Sequence, residues 1–239
     1  MTTPILADTR PARRRRPGGR DRSSWQVPLT LIVLSLIPVV SGSLRLVEIA
    51  GGPQLMPTNP RIDASPAPLV VHVLGALVYA ILGAFQFSAR LRRRSLNWHR
   101  KSGRILVGAG LAVALSGLWM TLFYAGAPGG NLLWGIRLLV SSAMAASIVL
   151  GFAAIRRRNI PAHRAWMIRA YALGLGAGTQ IFTEGIGEAL FGTGDLSKAL
   201  SMGSAWVINA VVAEWLIRRP SIRRARRARA RAAVLAASP

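Results

Sequence analysis

Apolar residues gather along this chain in six unbroken runs, at about residues 27–47, 67–87, 105–125, 132–155, 167–190 and 197–217. Each is close to the ~20 residues that a helix needs to cross a ~30 Å hydrocarbon layer. The runs are continuously apolar instead of alternating, and lipid offers no water to unpaired strand edges, so helices are expected and strands are not. Chain breakers fall between the runs: Pro53, Pro57, Pro60 and Pro66 in the first connection, Gly126, Pro128, Gly129 and Gly130 in the third, Gly192 and Gly194 in the fifth. Pro68 suits the first turn of a helix, where a missing N–H costs nothing. Pro38, inside the first run, predicts a kink. The expected fold is an all-α integral membrane bundle of about six transmembrane helices.

The positive charges sort these helices by direction, because cytoplasmic connections are enriched in Lys and Arg. Of 31 basic residues, 27 fall in the N-terminal tail, the 90–104 connection, the 156–169 connection and the tail from Arg218 onward. Only Arg45, Arg61, Arg137 and Lys198 remain for the other side. Every second connection is basic, as an even number of crossings with both termini in the cytoplasm requires. The expected organisation is a basic tail over 1–24, a transmembrane domain over 25–217 and a second basic tail over 218–239, set in the cell membrane. A cleaved signal peptide is the competing reading of the first run. That run is long for a signal sequence and lacks a clear A-x-A site.

Composition narrows the chemistry. The net charge of +23 would suggest a nucleic-acid partner in a soluble protein. Here the arginines lie beside apolar runs and carry no interleaved stacking aromatics, so anionic lipid headgroups are the expected partner of the tails and no nucleic acid is expected. The tails are low in complexity and are expected to be disordered or to lie on the leaflet. The absence of cysteine excludes disulfides, iron–sulfur clusters, thiolate metal sites and cysteine nucleophiles together. No metal motif, nucleophile triad or phosphate loop stands in the sequence, which favours a non-enzymatic role.

The two internal basic connections read alike. Arg92–Arg93–Arg94 is followed after four residues by His99 and Arg100, and Arg156–Arg157–Arg158 after four residues by His163 and Arg164. The offset is 64 residues, and it predicts a parallel repeat of two-helix units, helices two and three matching four and five.

At these residues the chain resembles a family of bacterial predicted membrane proteins, domain of unknown function 2306. The resemblance rests on His72-x-x-Gly75, Gly83-x-x-Gln86-Phe87, the arginines leading to His99-Arg100-x-x-Gly103-Arg104, and His163-Arg164-x-Trp166-Met167-x-Arg169. It covers about residues 67–190. The family pattern commonly carries an aromatic after the glycine–arginine pair, where Ile105 stands here. The resemblance implies a multi-helix membrane protein and no particular reaction.

Ionisable side chains in a span are costly, so each needs a partner, water or a purpose. Arg45, Glu48, His72, Arg137, Glu184 and Glu188 all fall toward the outer leaflet. Their shared depth predicts one roughly neutral polar cluster that binds or conducts a small polar species or protons. His99 and His163 invite a second reading, as ligands of haem b, since bis-histidine sites take one imidazole from each of two helices. His72 lies too far along its helix to serve as partner to either. A third reading is a structural scaffold whose basic face recruits anionic lipids or an acidic partner. Gln86 and Asn209 are expected to bond between helices, and Glu214 to pair with Arg169 or Arg104. The glycines at 174, 176, 178, 185 and 187 predict a close-packing surface.

Overall fold

The computed structural model describes residues 23–126 and 128–236, with side chains described over 25–126 and 128–219. The described backbone is helical and forms no strand. Its elements are α1 (Ser23–Ile49), α2 (Pro60–Ala64), α3 (Ala67–Gln86), α4 (Ala89–Arg94), α5 (Leu96–Phe123), α6 (Gly130–Arg156), α7 (Ile160–Gly174), α8 (Gly176–Phe191) and α9 (Asp195–Ala236). Five of them, α1, α3, α5, α6 and the first part of α9, are long and apolar enough to cross a membrane. Leu139, Leu190 and Val207, each more than 60 % exposed, typify the apolar side chains left on the outside of the bundle. Such a surface suits lipid and is unfavourable in water.

The fifth apolar run does not form the single helix expected of it. It divides at Leu175 into α7 and α8, each shorter than a full crossing. Glycines at 174, 176 and 178 supply the weakness, since glycine is ~1 kcal/mol poorer than alanine inside a helix. The interrupted backbone is bridged from a neighbouring helix: Asn209 on α9 donates Nδ2–H to the Ala172 carbonyl at 3.1 Å and accepts from Thr179 Oγ1 at 3.0 Å. A break at membrane depth is tolerated where side chains take over the freed backbone groups in this way.

Helix starts also lie earlier than the apolar runs indicate. Ser95 caps α5 by accepting from the Trp98 N–H, and Asn159 caps α7 by accepting from the Ala162 N–H. The two caps are 64 residues apart, and His99 and His163 follow each by four. His99 therefore lies in the first turn of α5, ahead of the apolar run. The helix α9 runs on through the basic stretch from Arg218 to Ala236. The N-terminal arginines at 10–22 lie outside the described residues.

The helices close into a ring in which α3 packs on α1 and α5, α6 on α5, α7 and α9, and α8 on α9 and α1. Tyr79, Leu106, Val113, Ala114, Met144, Ile148, Ala170 and Tyr171 form the core between α3, α5, α6 and α7. The expected close-packing glycines do pack closely. A Cβ on Gly178 would come within 2.3 Å of the Leu34 carbonyl oxygen, one on Gly176 within 2.0 Å of the Trp206 indole and one on Gly187 within 1.8 Å of Ser201 Oγ. Gly185 has nothing within 4 Å.

Candidate functional site

The six residues expected to form one cluster fall into separate groupings. Arg45 and Glu48 are a closed pair near the end of α1: Arg45 Nη1 donates to Glu48 Oε2 at 2.7 Å and Nη2 donates to the Pro57 carbonyl at 2.9 Å. The other oxygen of Glu48 accepts from the backbone of Leu55 and Met56. Arg45 Nη2 and Glu48 Oε1 thereby hold the connection that follows α1. His72 sits apart on α3, with Nδ1 3.1 Å from the Val113 carbonyl and 3.0 Å from Ser116 Oγ of α5. Glu188 is exposed on α8. The physical reason for the separation is azimuth, since residues at one depth point apart when their helices present different faces.

Arg137 and Glu184 stay near one another, joined by two cations. Glu184 Oε1 is held by Lys198 Nζ at 3.2 Å, with both side chains under a third exposed. Arg137 is half-buried on α6 and lies within electrostatic range of Glu184 and of Arg61 on α2. Among the described residues its guanidinium makes no ion pair, and its one polar contact is Met202 Sδ at 4.0 Å. Arg61 is directed to Asn59 Oδ1 at 3.2 Å. Arg137 thus lies within range both of Glu184, which Lys198 already holds, and of a second guanidinium, Arg61, at the arginine-poor end of the bundle. Beside them, Gln180 is 8 % exposed and donates to the Met202 carbonyl at 3.4 Å.

At the arginine-rich end the family-pattern residues mainly dock helices. Gln86 donates Nε2–H to Ser102 Oγ at 2.6 Å, linking α3 to α5 as expected. Gly75 lets α3 approach the Ala109 carbonyl. Gly83 leaves room for the Tyr171 ring, Phe87 contacts that ring at 5.0 Å between centroids, and Tyr171 donates its hydroxyl to the Ala80 carbonyl at 2.8 Å. On α7, His163 Nδ1 is 2.9 Å from the Gly151 carbonyl of α6, and Met167 and Trp166 fill the space at Gly151. Arg169 lies over the Trp166 ring at 4.6 Å and bonds Glu214 of α9 at 2.5 Å, the partner expected for that glutamate. Gly103 faces open space, with nothing within 4 Å of where a Cβ would stand, and Arg100, Arg104 and Arg164 are exposed.

The two histidines at this end come within electrostatic range of each other, with Arg92 and Arg100 alongside. Because a carbonyl can only accept, the Gly151 bond places a proton on His163 Nδ1, so that in the neutral ring the lone pair is on Nε2. His99 Nδ1 is buried with no hydrogen-bond partner among the described residues. Groups of three or more His, Cys, Asp or Glu that could hold a metal ion are absent among the described residues.

Helical architecture, lipid-compatible surface and polar groups at both ends define a multi-helix membrane protein. The chain belongs to the family of predicted membrane proteins termed DUF2306, whose model matches residues 69–217. The match reaches beyond the stretch to residue 190 that the sequence motifs carry and takes in the last apolar helix. Neither the curated proteins nor the solved structures contain a match to the chain.

Proposed function

We propose that this membrane protein binds a small oxyanion, a carboxylate or phosphate, at the cluster of Arg61, Arg137, Lys198 and Glu184. The observation that carries the reading is the half-buried guanidinium of Arg137, which has no carboxylate of its own among the described residues. A buried charge needs a counterion, and the carboxylate in its range, Glu184, is already bonded to Lys198. With Arg61 alongside, the cluster has an excess of two positive charges, and a guanidinium offers the forked donors that suit a planar or tetrahedral oxyanion. The 27-to-4 division of basic residues supports a topology with both termini in the cytoplasm and this cluster outside. In that topology α7 and α8 together make the fifth of six crossings. The matched caps at Ser95 and Asn159 support a parallel repeat of α3–α5 and α6–α7. Titrating acetate and phosphate into the purified protein at constant ionic strength tests the reading: saturable binding is expected, and its absence for both anions would end it.

A second reading takes His99 and His163 as haem b ligands. It is supported by their mutual proximity and by the carbonyl bond that orients His163 with the neutral ring's lone pair on Nε2, the arrangement in which ligating histidines are commonly held. A Soret band in the purified protein is its expected mark, and a colourless preparation ends it.

A further inference from the structure

Met202 of α9 is held against the charged cluster by two contacts. Its Sδ is 4.0 Å from Arg137 Nη2, the one polar contact of that guanidinium among the described residues, and its carbonyl accepts from Gln180 Nε2 at 3.4 Å. It stands four residues after Lys198, hence one turn along the same face of α9, and Lys198 in turn holds Glu184. Arg137 and Met202 are both partly exposed, so a small solute can reach the pair.

A thioether is a weak acceptor, because its sulfur carries little of the negative charge that an N–H donor seeks. Its sulfoxide is a different group. Oxidation makes the side chain polar, and the oxygen it adds is a strong acceptor for an ionised donor such as a guanidinium. The 4.0 Å between Sδ and Nη2 is a gap that one oxygen on the sulfur closes to ordinary hydrogen-bond length. The chain contains no cysteine, so methionine is its sole source of sulfur chemistry.

We propose that Met202 is a site of oxidative modification by hydrogen peroxide, and that its sulfoxide closes the oxyanion site by occupying Arg137. A lone pair on Sδ attacks one peroxide oxygen, and the O–O bond breaks as the S–O bond forms. The departing hydroxide takes the proton of the transferred hydroxyl and leaves as water. Sulfur is thereby oxidised by two electrons and the peroxide reduced by two. The new oxygen accepts from Arg137 Nη2, and because it is tethered it competes with a dissolved oxyanion at high effective concentration. The net charge of the cluster does not change, so it is the forked donor that is lost and not the long-range attraction. The modification stands on the contact alone, whereas its effect on binding rests on the oxyanion reading above.

The test treats the folded full-length protein in lipid nanodiscs with hydrogen peroxide, maps sulfoxides by peptide mass spectrometry, and titrates phosphate before and after. Met56, partly exposed on the connection after α1, is the internal reference for oxidation. Sulfoxide is expected at Met202, with phosphate affinity falling about tenfold as the guanidinium gains its tethered acceptor. Met202→Leu cannot form the sulfoxide, so the same treatment should leave its affinity unchanged. Met202→Gln carries an amide oxygen at that place without any oxidant and should bind phosphate more weakly than Met202→Leu; if it fails to fold, the other two proteins decide. Oxidation of Met56 with none at Met202, affinity that survives full oxidation of Met202, equal losses in wild type and Met202→Leu, or loss of binding in untreated Met202→Leu would overturn the inference. Absence of binding in the untreated wild type would instead end the oxyanion reading, and the switch with it.

Discussion

Lys198, not Arg137, holds the Glu184 carboxylate, at 3.2 Å. The consequence is a sign that distinguishes a binding site from a set of structural struts. Glu184→Gln removes the carboxylate that competes for the cations, so oxyanion affinity should rise, by about threefold to tenfold. Lys198→Ala frees Glu184 to turn to Arg137, so affinity should fall by a similar factor. Direct titration of phosphate into each variant reads both signs, and a loss of affinity in Glu184→Gln would contradict the assignment.

Gly178 meets backbone, not a side chain that can swing aside, because its missing Cβ would lie 2.3 Å from the Leu34 carbonyl oxygen. Gly178→Ala must push α8 from α1, and overpacking of this kind costs about 1–3 kcal/mol. A lowered melting temperature in detergent is expected. Gly185→Ala, at an open position, should be neutral, and equal effects at the two sites would remove close approach as the explanation.

Arg158 is the residue other than glycine with a positive φ, 58°, among the described residues. It ends α6 in the left-handed conformation that glycine adopts without penalty. Arg158→Gly should therefore stabilise the protein, by about 1 kcal/mol, which a higher melting temperature would register. A decrease would mean that the arginine side chain contributes more than its backbone strain costs.

The ion pair of Arg169 with Glu214 ties α7 to α9, at 2.5 Å with both side chains about a third exposed. In a double-mutant cycle of Arg169→Gln and Glu214→Gln the coupling should be on the order of 1 kcal/mol, in the range of polar contacts between membrane helices. Additive effects would show that Arg218, which also reaches Glu214 at 3.3 Å, takes over the carboxylate when Arg169 is lost.

The helical class and the membrane-crossing helices are legible in the sequence because hydropathy over ~20 residues is a bulk property of a segment. What runs of apolar residues do not carry is local backbone satisfaction. The division at Leu175 depends on Asn209 and Thr179, which come from another helix and from beyond the break. Gly174, Gly176 and Gly178 mark the place, but read equally well as a packing surface, which they also form. Depth without azimuth likewise explains the polar cluster: Arg45 and Glu48, three apart on one helix, are legible as a pair, whereas the parting of His72 and Glu188 from Arg137 follows from helix rotation. Lys198 stands at the start of the last run and reads as a connection charge, although its long stem lets the ammonium reach Glu184. Tyr171 is silent in the sequence, because a tyrosine in an apolar run carries no signal of its own. Its socket, Gly83 and Phe87, is visible as a motif, with nothing in the sequence to say what fills it.

Oxyanion binding at Arg137 is tested most directly by titrating phosphate and acetate into the wild-type protein, Arg137→Lys and Arg137→Gln by calorimetry, at constant ionic strength and with folding checked by melting. The wild type should bind one of the two anions saturably, Arg137→Lys should retain a weakened site because charge survives without the fork, and Arg137→Gln should bind at least tenfold more weakly than the wild type. Equal binding by the wild type and Arg137→Gln, or no binding by the wild type, would contradict it.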